Sequence, residues 1–318
     1  MNRPPPDVVA VERSAPGKII LCGEHSVVYG YPAIAVPVSD LRARARVEPA
    51  PPGSGLQIEA PDLHQSLHLR LAAEDNPLAH TARLVLAHLG HAEPDAVLTV
   101  ESDLPIASGM GSGAAITAAA ARALAAALGE ELLTETVSQI TYEVEKIHHG
   151  TPSGIDNTVI AWERPVYFAK GRCPETFRIA APFDVLIAHS GITSSTRGAV
   201  DEVRHRWHAT PAYYEMIFTC IGAIAHAARA AVEQGALQAL GTLLNENHEL
   251  LAKMGVSICK LDGLVYAARS RGALGAKLTG AGQGGNVIAL VNEPALPAVR
   301  QALNEAGAIH VWHTRVGI

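Results

Sequence analysis

Residues 108–114 read Ser-Gly-Met-Gly-Ser-Gly-Ala and open directly into a long alanine run. A helix start leaves backbone N–H groups unpaired and presents the positive end of the helix dipole. Glycines in front of it let the chain curl around an anion without Cβ clashes. Ser108, Gly109, Met110, Gly111, Ser112, Gly113 and Ala114 therefore read as a phosphate cradle. The competing reading is a tight strand-to-helix turn whose glycines serve packing alone. No Gly-Lys-Ser/Thr follows the glycines, so the stretch is not the common P-loop.

Two further segments carry reactive side chains. In SAPGKIILCGEHSVVYG (14–30), Lys18 follows a Pro-Gly turn and starts an apolar run that Glu24 and His25 break. Lys18 by itself suits a solvated strand edge, whereas a Glu-His pair between apolar runs needs partners if buried. In VEKIHHGTPSGIDNTV (144–159), Glu145 lies one position off the apolar stripe of its helix and can face a cleft. Ser153 sits in a Pro-Ser-Gly turn, and Asp156 follows in an apolar context, where it could also serve as a turn or helix cap. His148 and His149 are adjacent and lack the i, i+4 spacing of a helical metal site. Gly280-Ala281-Gly282-Gln283-Gly284-Gly285 satisfies GxGxxG, with Glu305 at a tempting distance. It opens into the β-type run NVIALV rather than a helix, so a glycine hairpin near a ligand fits better than a dinucleotide site.

The elements that must position these residues follow from periodicity. Residues 33–48 alternate as strand, with Arg42, Arg44 and Arg46 on one face, and 96–102 form a strand leading into the cradle. Residues 76–89 begin with an Asn-Pro helix signal, and Thr134 starts a helix to about His148 whose apolar face holds Val137, Ile140, Val144 and Ile147. DNTVIAWERPVYF reads as β structure. Residues 183–192 form a buried strand, and the chain is largely helical from there to about 271. Strand, glycine loop and strand (274–291), a helix (294–306) and a last strand (308–315) close it. The fold class is α+β, with a domain boundary near 180, giving 1–180 and 181–318.

The chain has 318 residues, 48% apolar and 18% charged, with a formal net charge of −6. That composition allows a sizeable core and argues against nucleic acid or an anionic membrane as partner. The N-terminus has no secretory h-region, and residues 1–7 read as a disordered lead. The longest low-charge stretch, 113–128, contains Arg122 and is too short to span a bilayer. Four scattered cysteines (Cys22, Cys173, Cys220, Cys259) form no framework and read as buried reduced thiols in a cytoplasmic protein.

PGKIILCGEHSVVYG, PIASGMGSGAAI and KLTGAGQGG, in that order, resemble the three motifs of the GHMP kinases. GEHSVVYG and HHGTPSGIDN resemble the mevalonate kinase branch of that superfamily. The matched motifs run from about 14 to 285, nearly the whole chain, and three in order with PSGID are highly specific. The resemblance implies a ribosomal-S5-type N-terminal domain and a ferredoxin-like C-terminal domain, with ATP and substrate between them. The implied reaction moves the γ-phosphoryl group of ATP to the 5-hydroxyl of mevalonate. On the same basis Asp156 matches the proposed base, and Lys18 matches the lysine beside it that keeps it ionised and stabilises the developing alkoxide. Glu145 matches the Mg²⁺ carboxylate, and either Ser112 or a water completes the coordination. Glu24, His25, Ser153 and Thr196 match substrate-side positions, and Gly280, Ala281 and Gly282 form a loop near the site. Arg197 and Lys18 are candidates for the substrate carboxylate. One departure stands out: the family's cradle reads GLGSSAA, and its second serine, a Mg²⁺ ligand, is Gly113 here. The sequence does not give the oligomeric state; relatives are often dimers, which leaves a homodimer open. Phosphomevalonate or a sugar as acceptor, and a non-catalytic sensor on the same fold, are the alternatives.

Overall fold

The computed structural model describes residues 8–105, 109–149 and 152–317, with the side chains of 148 and 149 outside that description. The chain divides into two compact units. The first holds residues 1–17, 41–106 and 111–163; the second holds 18–40, 107–110 and 164–318.

The first unit is built on β3 (Leu56–Ala60), β4 (Gln65–His68), β5 (Ala96–Ser102) and the C-terminal part of β2 (Ala33–Pro49). β3 pairs antiparallel with β4 and parallel with β5, and β5 pairs antiparallel with β2 from Ala43 to Pro49. Ala43, Ala45 and Val47 are buried while Arg44 and Arg46 are exposed, the alternation that pleating imposes. Its helices are α1 (Pro77–Leu89), α2 (Ser112–Ala127), α3 (Thr134–His149) and α4 (Ile155–Trp162). Asn76 caps α1, its side-chain oxygen accepting from the Ala79 N–H at 3.0 Å. α2 packs against α1, α3, α4 and β5. Nine of its alanines (114, 115, 118, 119, 120, 121, 123, 125, 127) have no exposed surface, so neighbouring helices approach its backbone closely. Arg122 is the charged residue on this helix. It donates to the carbonyls of Ser14 (3.1 Å) and Ala161 (2.6 Å) and to Glu163 (2.7 Å).

α4 corrects the sequence expectation of β structure after Asp156. Val159 and Ile160 favour strands by propensity, yet Gly154 at φ 96° caps a helix, and the Thr158 hydroxyl donates back to the Gly154 carbonyl at 2.6 Å. Burial of Ile155, Val159 and Ile160 against α2 and α3 overrides the β preference. β1 (Val11–Cys22) brings a second correction: the strand continues through Pro16-Gly17, where a turn was expected.

In the second unit, β8 (Phe183–His189), β9 (Gly275–Thr279), β10 (Asn286–Val291) and β11 (His310–Val316) form an antiparallel sheet in the order β11-β8-β10-β9. The start of β2 pairs with β6 (Val166–Phe168), which pairs with β7 (Glu175–Thr176). The helices are α5 (Thr196–Ala209), α6 (Pro211–Gln234), α7 (Leu237–Met254), α8 (Cys259–Ser270) and α9 (Leu296–Glu305). α6, not the alanine helix, is long and apolar enough to cross a membrane by length and composition. Its Tyr214, Ile217, Phe218 and Ile221 belong to the core of this unit, together with Leu186, Leu251, Leu278 and Val287. All four cysteines are free; Cys22 is buried, but Cys173, Cys220 and Cys259 are exposed, contrary to the expectation of buried thiols.

Candidate active site

α2 starts at Ser112, directly behind Gly111. Gly111 caps the helix at φ 74° with no side-chain cap hydrogen bond, and no acidic residue lies in the first turn. The first N–H groups of this 16-residue helix lie at the positive end of its dipole. Among the described residues, a Cβ at Gly113 would meet nothing within 4 Å. A helix N-terminus with room beside it is what an oxyanion ligand requires. Glu145 is buried in α3 at 7% exposure. Ser153 accepts from the Ile155 N–H at 3.4 Å, forming the turn that leads into α4. Asp156 lies in the first turn of α4, where the helix dipole favours a carboxylate.

The second unit holds the remaining candidates. Gly109 also has open space around a notional Cβ, and Met110 is fully buried, its carbonyl accepting from the Lys18 N–H at 2.9 Å. Lys18 is 3% exposed, which overturns the solvated-edge reading. Glu24 and His25 end the β1 segment, both buried. His25 takes the unusual φ of 60° for a non-glycine residue, a strain of the kind that concentrates at functional sites. Its Nε2 lies 2.8 Å from the Ala281 carbonyl oxygen. A carbonyl only accepts, so Nε2 carries the proton and Nδ1 is left as an acceptor. Burial pushes the imidazole down to about 4, so it is neutral at pH 7. Nδ1 is buried with no hydrogen-bond partner among the described residues. A neutral ring with a free lone pair suits a hydroxyl donor, not a carboxylate.

The glycine segment 280–285 links β9 to β10 as a hairpin, as the sequence indicates. A Cβ on Gly280 would sit 3.8 Å from the Gly109 carbonyl oxygen, so this loop runs beside the entry to the cradle segment. Thr196 begins α5 and is exposed; its neighbour Ser195 caps the helix by accepting from the Gly198 N–H at 3.2 Å. Ser108 lies outside the described residues.

Lys277 is the residue that sequence reasoning missed. It is fully buried in β9 and its ammonium donates to Glu24 Oε1 and to the Leu278 carbonyl. The available signal was a lone charge inside the apolar run LGAKLT, at an inward strand position. Burial raises the Glu24 carboxyl, and the Lys277 charge draws it partly back. Among the described residues no three His, Cys, Asp or Glu side chains gather into a self-sufficient cation site. Mg²⁺ held by one or two protein oxygens and substrate phosphates needs no such cluster.

Known proteins match this chain over most of its length. The model for the GHMP kinase N-terminal domain matches residues 76–163, and that for the GHMP kinase C-terminal domain matches 228–309. A mevalonate kinase from Pyrococcus horikoshii is 37% identical over 296 residues, 87% of each chain. One from Pyrococcus abyssi is 38% identical over the same share. The crystal structure of L. major mevalonate kinase in complex with R-mevalonate superimposes with a TM-score of 0.86 at 29% identity, covering 99% of this chain and 98% of that one. The chain belongs to the GHMP kinases and, within them, to the mevalonate kinase family.

Proposed function

We propose that this chain is a mevalonate kinase, transferring the γ-phosphoryl group of ATP to the 5-hydroxyl of mevalonate to give 5-phosphomevalonate for isoprenoid synthesis. The observation that carries this reading is the similarity to mevalonate kinases over 87% of each chain. Phosphoryl transfer asks a protein mainly for positioning and charge stabilisation. The uncapped start of α2, with Ser108, Gly109, Met110, Gly111, Ser112, Gly113 and Ala114, supplies N–H donors for the ATP phosphates. Bound Mg²⁺ supplies charge neutralisation at the phosphate oxygens, and Glu145 with Ser112 would hold it. Asp156 takes the proton from the substrate hydroxyl as general base, and Lys18, a buried cation, stabilises the developing alkoxide. Glu24, His25, Ser153 and Thr196 serve the substrate side, His25 as a hydrogen-bond acceptor through Nδ1. Gly280, Ala281 and Gly282 border that side.

The test is a substrate panel with ATP and Mg²⁺. ADP release with mevalonate, and none above background with phosphomevalonate or sugars, supports the reading; the reverse pattern sinks it. Binding of ATP and mevalonate without turnover would identify a sensor instead. Asp156→Asn should lower kcat by about a hundredfold or more while ATP still binds.

The boundary near 180 remains our proposed division of function, with the two family models matching on either side of it. A cytoplasmic location is supported by three exposed free thiols, which suit a reducing compartment. A homodimer is the proposed assembly, and sedimentation of the purified chain measures it.

A further inference from the structure

β9 and the loop after it are tied to the end of β1 by alternate residues. Lys277 donates to Glu24. Thr279 Oγ1 accepts from the Ile20 N–H at 3.1 Å and donates to the Ile20 carbonyl at 2.9 Å. The Ala281 carbonyl accepts from His25 Nε2 at 2.8 Å. Lys277 and Thr279 share one face of β9 and Ala281 follows in the loop, so three rungs fasten this edge strand and its loop to the segment that carries Ile20, Glu24 and His25. The first rung is charged and dry: Lys277 has no exposed surface, Glu24 has 1%, and Glu24 Oε2 is buried with no described partner. A buried ion pair is a poor way to gain stability, because desolvation offsets most of the attraction. Its recurrent use is to fix one arrangement among several, which is what a strained His25 and a hairpin loop of glycines require.

We propose that Lys277 is a positioning residue for phosphoryl transfer: it holds the Glu24 carboxylate ionised and oriented, and so keeps His25 and the Gly280–Gly282 loop in register for the substrate. This rests on the reading of Glu24 and His25 as substrate-side residues. The groups facing Glu24 are Lys277 from β9, Lys18 and Cys22 from β1, and the neighbouring His25; His248 from α7 faces Lys277. Among the groups around Glu24, Lys277 does most to draw its carboxyl down. Its removal leaves that carboxyl buried without its cation, so a proton is taken up at higher pH.

The test compares the full-length wild type with Lys277→Met, Lys277→Arg, Glu24→Gln and the double variant Glu24→Gln/Lys277→Met, assayed with ATP, Mg²⁺ and mevalonate across pH. Lys277→Met should lose about a hundredfold in kcat/KM for mevalonate, the scale of a small misplacement, while KM for ATP moves by less than about threefold. The acid limb of its pH profile should move to higher pH, and Lys277→Arg should recover part of the loss. The double variant should be no worse than the poorer single, because Lys277 acts through Glu24. Wild-type kinetics in folded Lys277→Met overturn the proposal. So does a loss with an unmoved acid limb and effects that multiply in the double variant, which would mark the pair as part of the fold only. If Lys277→Met does not fold, Glu24→Gln and the double variant decide, since neither leaves a lone buried carboxylate. Equal kinetics support the proposal; a further loss in the double overturns it. A wild type inactive on mevalonate but active on another acceptor overturns the substrate reading alone, and the same cycle is then run with that acceptor.

Discussion

Two glycine-rich segments of this chain look alike in sequence and differ in what surrounds them. At Gly109 and Gly113 a side chain would enter open space. At Gly282 it would run into the Val256 carbonyl, and at Gly284 it would lie 2.5 Å from the Ile192 carbonyl oxygen. The cause in the second case is local. The Gln283 N–H donates to Val256 O at 2.7 Å and the Gly285 N–H to Ile192 O at 2.8 Å, so each glycine sits over a carbonyl that its neighbour binds. One segment is glycine-rich to leave room for something else; the other is glycine-rich to let backbone meet backbone. The GxGxxG spelling belongs to the packed one, which is why it misleads as a ligand motif.

The sharpest way to break this contrast is Gly282→Ala. A methyl group driven into a pinned carbonyl, at φ 74°, should cost on the order of 4 kcal/mol from overpacking and backbone strain together. Urea unfolding measures it. A loss under about 1 kcal/mol would mean the loop is not packed as described.

How much of this contrast the sequence displays depends on the range of the forces involved. Capping by Asn76, the burial of the alanine helix and the β9–β10 hairpin rest on neighbours in the chain, and they are legible. α4 was misread because NTVIAW has strand propensity while the helix is decided by a Gly154 cap and by burial against α2 and α3. Lys277 was passed over because its partner, Glu24, is 253 residues away, and a lone lysine in a strand ordinarily marks a solvated edge. Lys18 was misjudged for the same reason: nothing in the local sequence shows that its strand is covered.

Acid should act on the packed region. Burial holds His25 near 4, and burial with the Arg269 charge holds His248 near 4, against an ordinary 6.5. Between those values the unfolded state binds more protons than the folded one. Stability from these groups is therefore fully present above about pH 6.5 and is lost as pH falls toward 4, by about 3 kcal/mol per histidine. The Glu24 carboxyl, raised by burial, opposes this: its folded form takes up a proton more readily, so its contribution grows as pH falls. Urea midpoints at pH 7 and pH 5 should differ accordingly, and His25→Asn or His248→Asn should flatten the dependence. An unchanged slope in both variants would remove the histidines from the account. Protonation of His25 adds at Nδ1 and leaves the Nε2 bond to the Ala281 carbonyl in place, so the cost is that of a buried charge rather than of a broken contact.

The open segment should respond in the opposite proportion. Gly109→Ala keeps its space but must hold φ 80°, a strain of about 1–2 kcal/mol. Its larger consequence is for the ligand, since the new methyl occupies room beside the donors. ATP affinity should fall by about tenfold, more than the loss in stability alone explains at about 1.4 kcal/mol per tenfold. Equal losses in stability and affinity would make Gly109 a packing glycine like Gly282.

The smallest change is the most informative about the metal. Gly113 is the second residue of α2, with no positive φ and nothing within 4 Å of a notional Cβ. Serine there gains about 0.5 kcal/mol of helix propensity over glycine. It also places a hydroxyl next to the Ser112 position proposed for Mg²⁺. If the cradle lacks a ligand where related kinases carry a second serine, Gly113→Ser should lower the Mg²⁺ concentration at half-maximal rate by about threefold, roughly 0.7 kcal/mol. The thermal midpoint should hold or rise slightly. A rise in stability with an unchanged Mg²⁺ midpoint would show that Ser112, Glu145 and the substrate phosphates already complete the coordination that the open space at Gly113 leaves to them. The open region would then differ from the packed one in what it admits, and Gly113 would mark a place where a protein ligand is dispensable.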